Sequence, residues 1–207
     1  MTYLSGMEAR AERKAEAQFR RHHGVLRTSR VLEAGIHPRT LYRLRDSGSL
    51  VQVSRGVYRL ADLPESAQPD LVVVASRVPR AVICLISALA FHEITVQIPH
   101  EVQIALPRGA RTPRLDHPPI RVFRMTGQAY SQGIKTHVEQ GVTVQVYGVE
   151  KTVADCFKFR NKIGLDVAVE ALPLARERKH ARPSALMHYA RICRVERVML
   201  PYVEMTL

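Results

Sequence analysis

The stretch from Thr28 to Leu60, TSRVLEAGIHPRTLYRLRDSGSLVQVSRGVYRL, constrains this 207-residue chain more than any other. A short apolar segment ends at Gly35, the residue type that enters left-handed backbone conformations without steric cost. Pro38 follows, and proline suits the first turn of a helix, where its missing N–H would have no partner anyway. Leu41 and Leu44 lie three apart and so share one face of the helix that Pro38 opens. Two β-rich runs, starting at Leu50 and Val57, then flank a turn at Ser54-Arg55-Gly56. Helix, tight turn, helix and hairpin in that order predict a winged helix-turn-helix.

Within this motif Thr28 or Ser29 is placed to cap the first helix. Val31, Leu32 and Ala34 face inward, and Ile36 plugs the corner. On the second helix the face opposite the leucines centres on Arg39, Arg43 and Asp46, flanked by Tyr42, with Thr40 and Arg45 at its edges. Arginine pairs with guanine in bidentate fashion, while tyrosine and threonine reach phosphate or a thymine methyl. Arg55 stands at the wing tip, within reach of phosphate or the minor groove. The candidate DNA-binding residues are Thr28, Ser29, Arg30, Arg39, Thr40, Tyr42, Arg43, Arg45, Ser54 and Arg55. Asp46 would be repelled by DNA, so its expected part is to orient Arg43 or Arg45. An ordinary basic surface helix is the competing reading, and the adjoining hairpin tilts the balance against it.

Charge sets this motif in context. Residues 1–61 carry 12 Lys/Arg against 5 Asp/Glu, residues 62–150 balance at 8 and 8, and residues 151–207 carry 11 against 6. A basic end segment that also holds a groove-reading motif is the electrostatic footprint of a nucleic-acid binder. Upstream, Met7, Ala11, Ala15 and Phe19 recur every four residues and predict a helix over residues 7–22. Its other faces carry Arg10, Arg13, Lys14, Arg20 and Arg21, which suits a solvated support helix with backbone contact as a secondary role.

The polar, two-proline segment after Leu60 reads as a linker. The expected division is a winged head over residues 1–62, a linker over 63–70, and an α+β domain over 71–207. In that last part Leu71–Arg77 and the apolar Ala81–Phe91 read as helices. Residues 101–106, 120–125, 134–138 and 142–147 read as strands, the last two joined by a turn at Gln140-Gly141. A helical tail follows, over residues 149–160, 165–179, 183–192 and 195–203. The fold class is therefore α+β, a winged helix-turn-helix followed by a mixed α/β domain with a helical tail.

The sequence carries few signatures of catalytic chemistry. His92-Glu93 begins like a zinc-protease helix, but Val96 stands where the second histidine belongs. A phosphate-binding glycine loop, a nucleophile elbow around Ser49 and an Asp-x-Asp metal pair are all missing. Cys84, Cys156 and Cys193 are odd in number and widely spaced, which suits buried thiols in a reducing compartment. No apolar run reaches membrane-spanning length, and the charged N-terminus lacks a signal-peptide core. The expectation is a cytoplasmic protein with no catalytic residue, metal or cofactor. Lys151, Lys158, Arg160 and Lys162 cluster around a helix end, where cations offset its dipole; the surplus is available to an acidic partner or nucleic acid. A weaker alternative makes His92, Glu93, Asp155 and Asp166 the groups of a DNA-tethered nuclease or nucleotide-modifying enzyme.

Four stretches in order, GIHPRTLYRLRDSGSLVQVSRGVYRL, ICLISALAFHEIT, EVQIALPRGAR and YGVEKTVADCFKFRNKIGLDVAVEAL, resemble the AbiEi-type antitoxins of bacterial toxin–antitoxin pairs. The resemblance runs from about Val25 to Tyr202. It implies a winged head that binds inverted repeats in its own promoter and represses the operon. It also implies a C-terminal domain needed to neutralise a co-expressed nucleotidyltransferase-like toxin of the AbiEii kind; the basic cluster of Lys151, Lys158, Arg160 and Lys162 then supplies the candidate neutralising residues. The family supplies no catalytic residues. A stand-alone winged-helix repressor with a ligand-sensing C-terminal domain is the alternative.

Overall fold

The computed structural model describes residues 2–64 and 66–206, with side chains of the first helix described from Met7 onward. Met1 and Leu207, at the ends of the expected domains, and Glu65, within the expected linker, lie outside the described residues. The chain divides into two compact units. One comprises the residues up to Pro79 together with Val138–Val144, and the other comprises Arg80–His137 and the residues from Gln145 onward.

The first unit begins with α1 (Thr2–Arg21), β1 (Val25–Arg27), α2 (Thr28–Glu33) and α3 (Pro38–Asp46). The wing strands β2 (Leu50–Ser54) and β3 (Val57–Leu60) follow, then α4 (Pro69–Arg77). Phe19 and Ala15 of α1, Val31 of α2, Ile36 at the corner, Leu41 and Leu44 of α3, and Tyr58 and Leu60 of β3 form one buried cluster. Burying a side chain the size of Phe19 or Leu41 stabilises by about 1.5–3 kcal/mol, so this cluster fixes the angle between α3 and the wing. The α1 stripe meets the core only from its second half: Ala15 and Phe19 are fully buried, whereas Met7 is exposed. Leu32, expected inside, is also exposed, because the six-residue α2 needs only Val31 to anchor it.

The wing is three-stranded, in the order β1-β3-β2. Val25, Leu26 and Arg27 pair antiparallel with Arg59, Tyr58 and Val57. Three residues are too few to carry a period, so sequence pattern alone shows only the two-stranded hairpin. A further difference concerns α4, which was expected to begin the second domain. Val72 of this helix packs with Val25 and Val57, with Val53 and Val142 beside them, and α4 therefore groups with the head. The boundary by contacts falls after Pro79, nine residues beyond the expected linker.

The second unit is built on a five-stranded mixed sheet in the order β6-β5-β4-β8-β7. Its strands are β4 (Val82–Ile83), β5 (Val102–Pro107), β6 (Ile120–Met125), β7 (Ile134–Glu139) and β8 (Val142–Tyr147). β4 runs parallel to β8 and antiparallel to β5, and β5 runs parallel to β6. Gln140 and Gly141 both have positive φ, as a two-residue type I′ hairpin requires. At Gly141 a Cβ atom would lie 2.1 Å from Cβ of His23, so only glycine fits that turn.

The apolar run Ala81–Phe91 was expected as one helix, but it is β4 followed by α5 (Leu85–Phe91). Buried Gln103 explains the break. Its backbone carbonyl accepts from Cys84 N–H at 3.0 Å and its side-chain Oε1 accepts from Ile86 N–H at 3.0 Å. These bonds satisfy donors at the helix start that would otherwise be buried unpaired. After the short α6 (Gln128–Ser131) and the β7–β8 hairpin comes the tail: α7 (Val149–Lys158), α8 (Arg160–Ile163), α9 (Leu165–Lys179), α10 (Pro183–Cys193) and α11 (Glu196–Glu204). The core gathers Leu85 and Leu89 of α5, Val153 and Phe157 of α7, Leu172 of α9, Leu186 of α10 and Met199 of α11.

Candidate nucleic-acid interface

The outward face of α3 is set by what anchors the helix. His37 is its N-cap, with Nδ1 accepting from the Arg39 backbone N–H at 3.1 Å, and Pro38 occupies the first helical turn. This histidine cap was not anticipated, because a Ser, Thr, Asp or Asn is the usual signal. At the other helix, Thr28 does not cap α2. The N-cap is Arg27, without a side-chain bond, and the Thr28 hydroxyl instead donates to the Gly56 carbonyl at 3.3 Å. Thr28 thus ties α2 to the wing turn. Gly35, in the left-handed region at φ +73°, makes the bend between the helices.

With Leu41 and Leu44 buried, Arg39, Tyr42, Arg45 and Asp46 are exposed. Arg45 lies over the Tyr42 ring, 5.2 Å from its centroid, and pairs with Asp46 at 2.7 Å. Asp46 therefore takes its expected role on Arg45. The same hydrogen bond raises the Arg45 pKa above its ordinary value, so the guanidinium keeps its charge. Arg39 and the Tyr42–Arg45 stack form an outward surface of cation and aromatic ring.

Two residues expected on that surface are elsewhere. Thr40 is buried against the core and is not presented to a partner. Arg43 is half-buried and turned toward α1, where it pairs with Glu8 and Glu12 at 2.7 Å each. Both carboxylates lie on the face of α1 that meets α3, a long-range pairing that helical-wheel geometry cannot show. Arg30 is exposed and pairs with Glu33 at 3.0 Å, one turn along α2. Ser29 is exposed and Ser54 half-buried.

The wing tip turns at Arg55-Gly56, between Ser54 and its partner Val57, with a bulge between Gln52 and Ser54. The Arg55 side chain is exposed and its carbonyl accepts from Arg77 of α4 at 2.8 Å. A bulge next to a hairpin turn increases local twist and re-aims the tip. Arg59, beneath it on β3, is buried and donates to the carbonyls of Leu60 and Leu63, a structural cation inside the wing.

Residues 14–61 match the family described as transcriptional regulator, AbiEi antitoxin. The AbiEi resemblance holds over the head. The matched segment runs from the middle of α1 to the end of the wing and contains the whole helix-turn-helix. No curated protein matches the chain. Among solved structures, the RV2827C protein from Mycobacterium tuberculosis is similar, with a TM-score of 0.54 and 19% identity over 81% of this chain. The match covers 66% of that protein, just under two thirds of its length, and at this identity it speaks to fold alone.

The second unit places the remaining candidates. Lys151, expected as a partner-contacting cation, is fully buried on α7. Its ammonium pairs with Asp155 one turn on and lies 4.1 Å from the Tyr147 ring centroid. Burial pushes the Asp155 carboxyl above its usual range, while Lys151 and the Cys193 thiol, 3.1 Å away, favour its ionised form. This cation–aromatic–carboxylate group holds α7 against the sheet and α10. It is structural, and it was missed because Glu150 and Lys151 look alike in sequence although only one faces inward. Lys158 and Arg160 are half-buried, and Lys162 is exposed. Lys158 and Lys162 stand 5.9 and 6.0 Å from the Phe159 ring centroid, while Arg160 donates to the Phe157 carbonyl at 2.9 Å.

The groups of the enzyme alternative are each engaged separately. His92 Nε2–H donates to the Tyr147 carbonyl at 2.7 Å, and burial lowers the imidazole pKa. Glu93 pairs with Lys179, Asp155 is committed to Lys151, and Asp166 is exposed. No hydrogen bond or ion pair joins any two of the four among the described residues. No cluster of three or more His, Cys, Asp and Glu is placed to hold a metal, and no helix is long and apolar enough to cross a membrane, again among the described residues.

Proposed function

We propose that this chain is a DNA-binding antitoxin and autorepressor. Its head would read inverted repeats in its own promoter, and its second unit would act against a nucleotidyltransferase-like toxin, without catalysis of its own. The observation that carries the reading is the exposed Arg39 and Tyr42–Arg45 surface of α3 beside the Arg55 wing tip, within the segment that matches AbiEi regulators. An exposed arginine on a helix of this kind reads guanine, while a cation stacked on an aromatic ring contacts backbone or base. Toxin neutralisation rests on the AbiEi resemblance alone. Lys158, Arg160 and Lys162 remain its candidate residues in the second unit, and Lys151 is withdrawn.

The test separates the two activities. The region upstream of the coding sequence is fused to a reporter, and the neighbouring toxin gene is expressed from an independent promoter. Wild-type protein should repress the reporter and rescue growth. Arg39→Glu should lose repression and keep rescue, since the toxin is no longer under the native promoter. Failure of wild type to repress would remove the DNA-binding part, and failure to rescue would remove the antitoxin part.

A further inference from the structure

The second unit contains an open pocket of about 640 Å³ that shares only Lys158 with the candidate residues named above. Lys158 at the end of α7 and Arg191 and Arg194 at the end of α10 line it, with Thr126, Gln128 and buried Cys193 completing the wall. Three cations from two different helices therefore face one cavity that also offers a hydroxyl and a carboxamide. Its volume lies in the range that accommodates a small organic ligand.

The neighbouring negative charges are already committed. Arg191 pairs with Glu196 at 3.0 Å, and that carboxylate does not line the pocket. Asp155 lies behind Cys193 and pairs with Lys151. Lys158 and Arg194 have no ion-pair partner among the described residues. Cations at helix ends do offset the dipole, but only within the last turn and by about 0.3–1 kcal/mol each. That role does not require α7 and α10 to direct theirs into the same cavity.

We propose that this pocket binds a ligand bearing two or more phosphate groups, of nucleotide size. Guanidinium groups favour planar, bidentate contact with phosphate oxygens, and three cations match a polyanion better than a single carboxylate. Thr126 and Gln128 supply neutral hydrogen bonds to the remaining oxygens or to an attached sugar or base.

Calorimetric titration of the full chain at low ionic strength, with pyrophosphate in one arm and ATP in the other, tests this. Pyrophosphate alone binding would make the phosphate chain the whole ligand, and tighter ATP binding would add the nucleoside; both support the site. Lys158→Gln and Arg194→Asn should each weaken binding about tenfold, the cost of one charged hydrogen bond. Asparagine is chosen because residue 194 sits at φ +59°, which asparagine tolerates. Arg108→Glu and Arg111→Glu, both exposed and outside the pocket, serve as charge controls and should bind like wild type. Circular dichroism identifies any variant that fails to fold, in which case the other pocket variant decides. Absence of saturable binding by either probe, or equal weakening by the controls, overturns the proposal.

Discussion

At the scale of single residues, the outward face of α3 is divided between an exposed arginine and a held one. Arg39 is exposed, whereas Arg43, four residues on, is held by Glu8 and Glu12. Arg39→Ala should cost about 1–3 kcal/mol of operator affinity and leave folding unchanged, the mark of a base-reading residue. Arg43→Ala should instead lower folding stability by about 1 kcal/mol or less, as partly exposed ion pairs do. Gel-shift affinity and urea denaturation on both variants check this, and equal affinity losses without any difference in stability would contradict the division. His92 carries a pH signature. Burial lowers its pKa below the ordinary 6.5, so protonation is harder in the folded state than in the unfolded chain. Its contribution is full above about pH 6.5 and is lost as pH falls toward the folded value. His92→Gln should therefore flatten the acid side of the melting-temperature profile below about pH 6.5, and identical profiles would show that His92 does not titrate there.

At the scale of elements, α7 turns on its buried pair. Lys151→Met or Asp155→Leu alone should cost about 3–5 kcal/mol, because each strands an unpaired buried charge, while the double variant should cost less than either single change. Urea denaturation measures all three, and additive losses would contradict the account. This helix also shows what sequence does and does not carry. Val153, Ala154 and Phe157 were legible as a packed face from period alone, and they are buried. Lys151 was not, since a lysine is almost always solvated and its partner, the Tyr147 ring, lies outside the helix. The helix-turn-helix and its wing hairpin were readable for the opposite reason, because Gly35, Pro38 and Gly56 mark their turns locally. β1 and β4 escaped notice at three and two residues. Their strand character comes from pairing partners far away in the chain, Arg59 and Ala105 among them.

For the whole molecule, the uneven charge sets the expected behaviour with DNA. The excess lies at both ends of the chain, +7 over residues 1–61 and +5 over residues 151–207, with no net charge between. Phosphate contact by such surfaces releases counterions, so operator affinity should fall steeply as salt rises. The head by contacts is larger than the AbiEi match, since it takes in α4 and Val138–Val144. Within it Ser66 donates to Glu139 at 2.7 Å and the Gln140 amide donates to the Pro64 carbonyl at 2.6 Å. A cut at residue 62 would sever these contacts, so the intact chain is the proper reagent. Footprinting of the full chain on the DNA upstream of its coding sequence is the most direct measurement of the central claim. Two half-sites separated by one helical turn or a multiple, about 10–10.5 base pairs per turn, should be protected, and both should be lost with Arg39→Glu. Uniform protection unaffected by that substitution, or no protection at all, would contradict that claim.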